Sequence, residues 1–82
     1  MRDLTGGQPR KVNFPSGLVG DYEVIHNYNR QAEIVDVTFD DTPETQAANL
    51  ANVSFNIPVI EHTLVSFIIN CNILLPFTLR YK

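Results

Sequence analysis

Few side chains in this sequence could do chemistry near neutral pH. His26 and His62 are the two histidines, and Cys71 is the single cysteine, in 82 residues. Nucleophilic catalysis needs a hydroxyl or thiol beside a histidine that an acid orients. Cys71 alternates in phase with Val65, Phe67 and Ile69, which puts its thiol on an apolar face, desolvated and inert rather than activated. His62 follows Glu61 in a stretch that reads as a solvated turn. One cysteine and two histidines cannot complete a four-ligand zinc site without carboxylates. Asp40, Asp41 and Glu44 could offer oxygens to calcium, but they lack the alternate acids, the glycine and the terminal glutamate of a twelve-residue calcium loop. Helix capping uses the same stretch. Thr42 is a good N-cap, Pro43 suits the first helical position, and Glu44 favours the positive end of the helix dipole. Gly6-Gly7 is not followed by the strand-to-helix pattern or the Gly-Lys-Ser/Thr of a phosphate loop. The expectation is no catalytic residue, no cofactor and no metal.

The elements that would position these residues are strands. From Val53 to Tyr81 apolar residues recur at every second position. Val53, Phe55, Ile57 and Val59 stand against Ser54, Asn56 and Pro58. Val65, Phe67, Ile69, Cys71 and Ile73 stand against Ser66, Asn70 and Asn72, with Ile68 out of phase, and Phe77, Leu79 and Tyr81 stand against Thr78, Arg80 and Lys82. Successive side chains of a strand point to opposite faces, so this period predicts three half-buried strands. Pro58 cannot donate to a ladder and belongs at an edge or bulge. Glu61-His62-Thr63 is the expected turn between the first two. Leu75-Pro76 either separates the second and third strands or bends one strand from one sheet into another. Earlier in the chain, Tyr22, Val24, His26 and Tyr28 alternate with Glu23, Ile25 and Asn27, and Val35, Val37 and Phe39 with Asp36 and Thr38. These predict a hairpin with its loop near residues 28–31. Residues 40–52, with Ala47, Ala48, Leu50 and Ala51, predict a short helix that must pack on the sheet to persist.

Residues 1–20 differ. They hold all four glycines and two of the five prolines, and their few apolar residues lack any spacing. They read as an extended N-terminal arm preceding a single β domain over 21–82. The fold class expected is mostly β: a small antiparallel β-sandwich or barrel-like sheet of about five strands, one short helix and that arm.

A chain this short buries only about 60–65% of its unfolded surface, so its core is marginal unless something adds to it. With one cysteine, disulfides cannot, and oligomerisation or docking on a larger partner is the remaining common route. The charge layout suits such contacts. The net charge is −3, but Arg2, Arg10 and Lys11 make the start basic, whereas residues 21–61 carry eight acids against Arg30 alone. Arg80 and Lys82 make the end basic again. Scattered basic residues form no nucleic-acid patch. The apolar stretch Leu64 to Leu79 is short of a membrane span, and polar residues and Pro76 interrupt it. The first twenty residues lack the apolar core of a signal peptide, and a lone inward cysteine suits a reducing compartment, so cytoplasmic synthesis is expected.

These features together point to a non-enzymatic protein that works by contact. It would decorate or cement a large assembly such as a viral capsid, with itself and a larger structural protein as partners. Its mature location would then be the virion or another such assembly. Arg2, Leu4, Arg10, Lys11, Val12 and Phe14 of the arm are the expected contact residues, with a sheet edge completing the bridge. The alternative is a stand-alone carbohydrate- or peptide-binding β module, with Tyr22, Tyr28 and Tyr81 as anchors. The uncharged face of Ser66, Asn70 and Asn72 suits either a solvent surface or a wet protein contact.

Overall fold

Two long stretches, residues 10–25 and 66–81, pair antiparallel in a single frame, and the fold is built on that pairing. A computed structural model describes residues 9–82. In it, β1 (Arg10–Phe14) runs against β6 (Phe77–Tyr81), with Arg10 opposite Tyr81 and Phe14 opposite Phe77. Next, β2 (Leu18–Ile25) runs against β5 (Ser66–Ile73), with Leu18 opposite Ile73 and Ile25 opposite Ser66. The register does not slip between the two halves. The ribbon instead bends where Pro15-Ser16-Gly17 faces Leu74-Leu75-Pro76. Neither proline has an N–H to give a ladder. Gly17 turns the chain with φ +81°, its N–H bonded to the carbonyl of Phe14 at 3.1 Å. A Cβ at Gly17 would collide with the carbonyl oxygen of Ile73, so only glycine lets the strands cross this closely.

The bend divides the ribbon between two sheets. β3 (Ile34–Phe39) adds to β6, giving the order β1-β6-β3, and β4 (Val59–His62) adds to β5, giving β2-β5-β4. All pairings are antiparallel, and the two sheets pack together without closing into a barrel. Leu75-Pro76 thus carries the chain from one sheet to the other. β5 and β6 are the two central strands, and they supply the deepest side chains: Phe67 is 1% exposed, and Ile69, Phe77 and Leu79 are 0%. Phe14, Val24, Ala32, Val37, Phe39, Cys71 and Tyr81 complete the core. The apolar alternation from Phe67 to Tyr81 is thus turned inward as expected, whereas Val65, expected inside, is 45% exposed and Ser66 and Thr78, expected outside, are buried.

Residues 10–20 are not an arm. Five of them form β1, and β2 begins at Leu18. Phe14 is buried, stacked on Phe77 with ring centroids 4.7 Å apart. Two residues were enough to hide this strand in the sequence: Pro9 and Pro15 bracket a five-residue segment that gains its hydrogen bonds only from β6. Another departure lies at residues 53–58. Their apolar alternation is real, and Phe55, Ile57 and Val59 pack on the core, but only Ser54 forms a bridge, opposite Thr38. The Phe55 N–H bonds to the Val37 carbonyl at 2.9 Å, and the Phe39 N–H to the Val53 carbonyl at 3.0 Å. Strand β4 then takes in Glu61 and His62, expected in the turn. The turn itself is Thr63–Ser66, closed by the Thr63 N–H on the Ser66 carbonyl and by the Thr63 hydroxyl, which accepts from the N–H of Ser66.

The helix is short. α1 (Pro43–Ala47) is capped by Thr42, whose side chain accepts from the Thr45 N–H while the Thr45 hydroxyl accepts from the Thr42 N–H. Thr45 is 0% exposed, its hydroxyl bonded to the carbonyls of Asp40 and Thr42 ahead of the helix. Asn49 and Asn52, at φ +60° and +64°, end it before the predicted length is reached; asparagine tolerates that left-handed geometry better than most residues.

Phe67→Ala should destabilise the fold by about 3–5 kcal/mol, a large share of the stability of so small a domain, whereas Asn70→Ala on the outer face should cost little; thermal melts of the two variants compare them directly. Deleting residues 2–18 removes β1 and should abolish the far-UV β signal.

Candidate functional site

The expected contact residues fall in unlike surroundings. Arg2 and Leu4 lie outside the described residues. Phe14 is used by the core, and Val12 is half-buried against it. Arg10 and Lys11 are exposed. The three tyrosines do not share a binding surface either. Tyr81 is 6% exposed and in the core, and Tyr22 meets the edge of Phe14 at 5.0 Å. Tyr28 is the one that gathers charge around it.

Around Tyr28 the geometry is specific. The guanidinium carbon of Arg10 lies 4.9 Å from its ring centroid and that of Arg30 4.5 Å, both within cation–π range. His26 stacks on the same ring at 4.5 Å. Nη1 of Arg10 donates to the carbonyl of His26 at 3.2 Å, and Nη1 of Arg30 to the carbonyls of Gln31 at 3.0 Å and Lys82 at 3.5 Å. The loop that holds Tyr28 and Arg30 is set by Asn27 and Asn29, both at φ +60°. The hairpin expected with its loop near residues 28–31 does not form, because β2 pairs with β5 and β3 with β6 and the loop instead carries the chain from one sheet to the other; nothing in the sequence marks that Arg10 reaches it. Arg30 and Tyr28 meet Arg10 because β1 and the 26–33 loop end at the same end of the fold.

Beneath this cluster His26 is 3% exposed. Its Nδ1 accepts from the Tyr28 N–H at 3.0 Å, while Nε2 is buried without a partner. Burial first, then the positive charges of Arg30 and Arg10, hold its pKa below the ordinary 6.5, because each disfavours a charged ring.

The residues weighed for chemistry are dispersed. Cys71 is buried, and desolvation raises its pKa. Asp40 accepts from Asn13 and Thr78, both at 2.7 Å, and Asp41 from Gln46 at 2.6 Å, so their oxygens serve separate partners. Among the described residues, no group of three or more His, Cys, Asp or Glu is placed to hold a metal ion, and no helix is long and apolar enough to cross a membrane.

Two surfaces remain. A groove of about 460 Å³ opens between β3 and β4, floored by Ile34, Val37, Phe55 and Ile57 and rimmed by Glu33 and His62. At one end of the β2-β5-β4 sheet, Ile25 (61% exposed), Ile60 (54%), Leu64 (58%) and Val65 (45%) leave apolar area in water. The N–H of His26 bonds to the Val65 carbonyl at 2.8 Å, so Ile25 lies beside the turn that carries Leu64 and Val65, while Ile60 stands on β4 across β5 from Ile25; the bulge between Ile34 and Asp36 turns Val35 outward. Bulges re-aim side chains in this way, which is why alternation alone placed Val35 inside. The outer face beside this end is polar, with Asn70 donating to Asp21 and Ser66 to Glu23, both at 2.8 Å.

No protein-family model, no curated protein and no solved structure matches this chain.

The His26 geometry has a consequence for stability. The folded state keeps the ring neutral, whereas the unfolded chain protonates it as pH falls past 6.5. Its stabilising contribution is therefore complete above that pH and declines as pH drops below it. Denaturant unfolding of the parent between about pH 7.5 and 5 should show this decline, and His26→Phe should show a shallower one.

Proposed function

We propose that this chain is a non-enzymatic interaction protein, a small decorating or cementing subunit of a large assembly such as a viral capsid. It would hold copies of itself and a larger structural protein together by surface contact. The observation that carries the reading is the exposed apolar end of Ile25, Ile60, Leu64 and Val65. Two of these sit on the turn after β4 and one in its bulge, so folding does not bury them; a partner would. Exposed apolar clusters rimmed by polar residues mark protein contacts in small domains. Here the exposed Glu23 and Glu61 supply the polar rim. β4 adds a short uncovered strand edge beside the cluster. A partner segment could extend the sheet along that edge, although the bulge and Pro58 shorten what is available.

The groove between β3 and β4 supports a second reading, a module that binds a peptide or carbohydrate. Its volume falls in the range of small-ligand clefts, and its apolar floor with a polar rim has their character.

Sedimentation separates the two. The cementing reading expects the purified chain to associate as its concentration rises. Leu64→Asp should weaken that association at least about tenfold with an unchanged circular dichroism spectrum. A chain that stays monomeric, and takes up a soluble glycan or peptide that shifts the resonances of Ile57 and His62, would instead establish the module.

A further inference from the structure

The cations at the Tyr28 end and the acids on β2 complement one another, and neither set is paired with an opposite side-chain charge among the described residues. The one side-chain ion pair among the described residues is Arg80 with Asp36, at 3.0 Å. Arg10 and Arg30 have no side-chain carboxylate within ion-pair distance there. Each donates only through Nη1, and only to main-chain carbonyls. A guanidinium carries five N–H donors in a rigid fork. Each therefore keeps donors for a bidentate carboxylate, while its anchoring and the Tyr28 ring hold it in place. Since both guanidinium carbons lie within 5 Å of one ring centroid, they are at most about 10 Å apart.

Asp21 and Glu23 mirror this arrangement. They stand two residues apart on the exposed face of β2, so their attachment points are about 7 Å apart. Asn70 orients the first and Ser66 the second. Neither has a basic partner among the described residues. Val19, 64% exposed, and Ile25, 61% exposed, flank them on the same face, so a contact here would bury apolar area along with the charges.

We infer that Arg10, Tyr28 and Arg30 form a clamp that receives Asp21 and Glu23 of a second copy of this chain. The inference rests on the reading of the protein as one that works by contact, and it assigns the contact between copies. Because clamp and acids are different surfaces, the contact is heterologous: it joins copies head to tail and builds a ring or a filament rather than a closed two-fold dimer. Close charge pairs of this kind set register and partner choice as well as affinity.

The test uses charge-neutral variants of the full chain followed by sedimentation velocity at low salt. Arg10→Gln with Arg30→Gln removes the clamp but keeps the acids; Asp21→Asn with Glu23→Gln does the reverse. Each alone should associate about tenfold or more weakly than the parent, and an equimolar mixture should recover a one-to-one dimer but nothing larger. That recovery is specific to a head-to-tail contact. Should the first variant lose its circular dichroism signal, Arg30→Gln alone replaces it, since Arg30 touches only the surface of its own loop and the chain end. If the parent associates and both variants associate equally well, the clamp is overturned while the apolar contact stands. Weakened variants that do not recover on mixing overturn the head-to-tail pairing. A parent that remains monomeric overturns the contact between copies altogether.

Discussion

The antiparallel pairing of residues 10–25 with residues 66–81 is the constraint on which the rest of the structure depends. It is one ladder in one frame, and its partners are more than forty residues apart at every rung. Closing a loop of that size carries an entropic cost that local contacts cannot offset. The return comes when the ribbon bends at Gly17 and its two halves stack, because only then do Phe14, Phe67, Ile69, Phe77 and Leu79 leave water. At roughly 1.5–3 kcal/mol for each large apolar side chain fully buried, this small set dominates the stability of the fold. β3 and β4 each add a strand beside a centre already in place.

That economy explains why so much of the surface is left for contact. A domain of this size has a core one layer thick between two three-stranded sheets, and each sheet has two edges. The edges are blunted in different ways: Lys11 and Arg10 on β1, Asp21 and Glu23 on β2, a bulge and Pro58 at β4, and the 52–55 segment laid along β3. Charges, bulges and covering segments all discourage indiscriminate strand addition. Giving β1 a basic edge and β2 an acidic one also creates complementary surfaces on one molecule. The same charges that prevent one kind of association thereby specify another.

The polar outer face of the β1-β6-β3 sheet shows how the fold tolerates buried polar groups. Thr78 is 8% exposed yet donates to Asp40, which also accepts from Asn13. Arg80 spans Asp36 and Thr38. Every one of these groups has a partner, as burial requires. His26 differs, with a buried Nε2 left unpaired and two arginines above it. That arrangement fixes the stacked Tyr28 ring on which both guanidiniums rest, at the expense of stability in acid.

Local pattern alone fixed the apolar face running from Phe67 to Tyr81, the inward placement of Val37, Phe39 and Cys71, and the start of the helix at Thr42. Alternation with period two and capping by a threonine before proline are local properties, readable without knowing what lies opposite. Tertiary structure decided the rest. Whether Arg10–Phe14 is a strand depends on β6 offering it an edge. Whether Val53–Pro58 is one depends on how much of β3 is free to pair. The bulge in β3 shifts Val35 to the outside without any mark in the alternation, and the one in β4 sets His62 opposite the inward Phe67. The meeting of Arg10 and Arg30 over Tyr28 was legible from neither residue, because twenty positions separate them in the chain. Only the register of a non-local ladder, which no local pattern encodes, brings them to one ring.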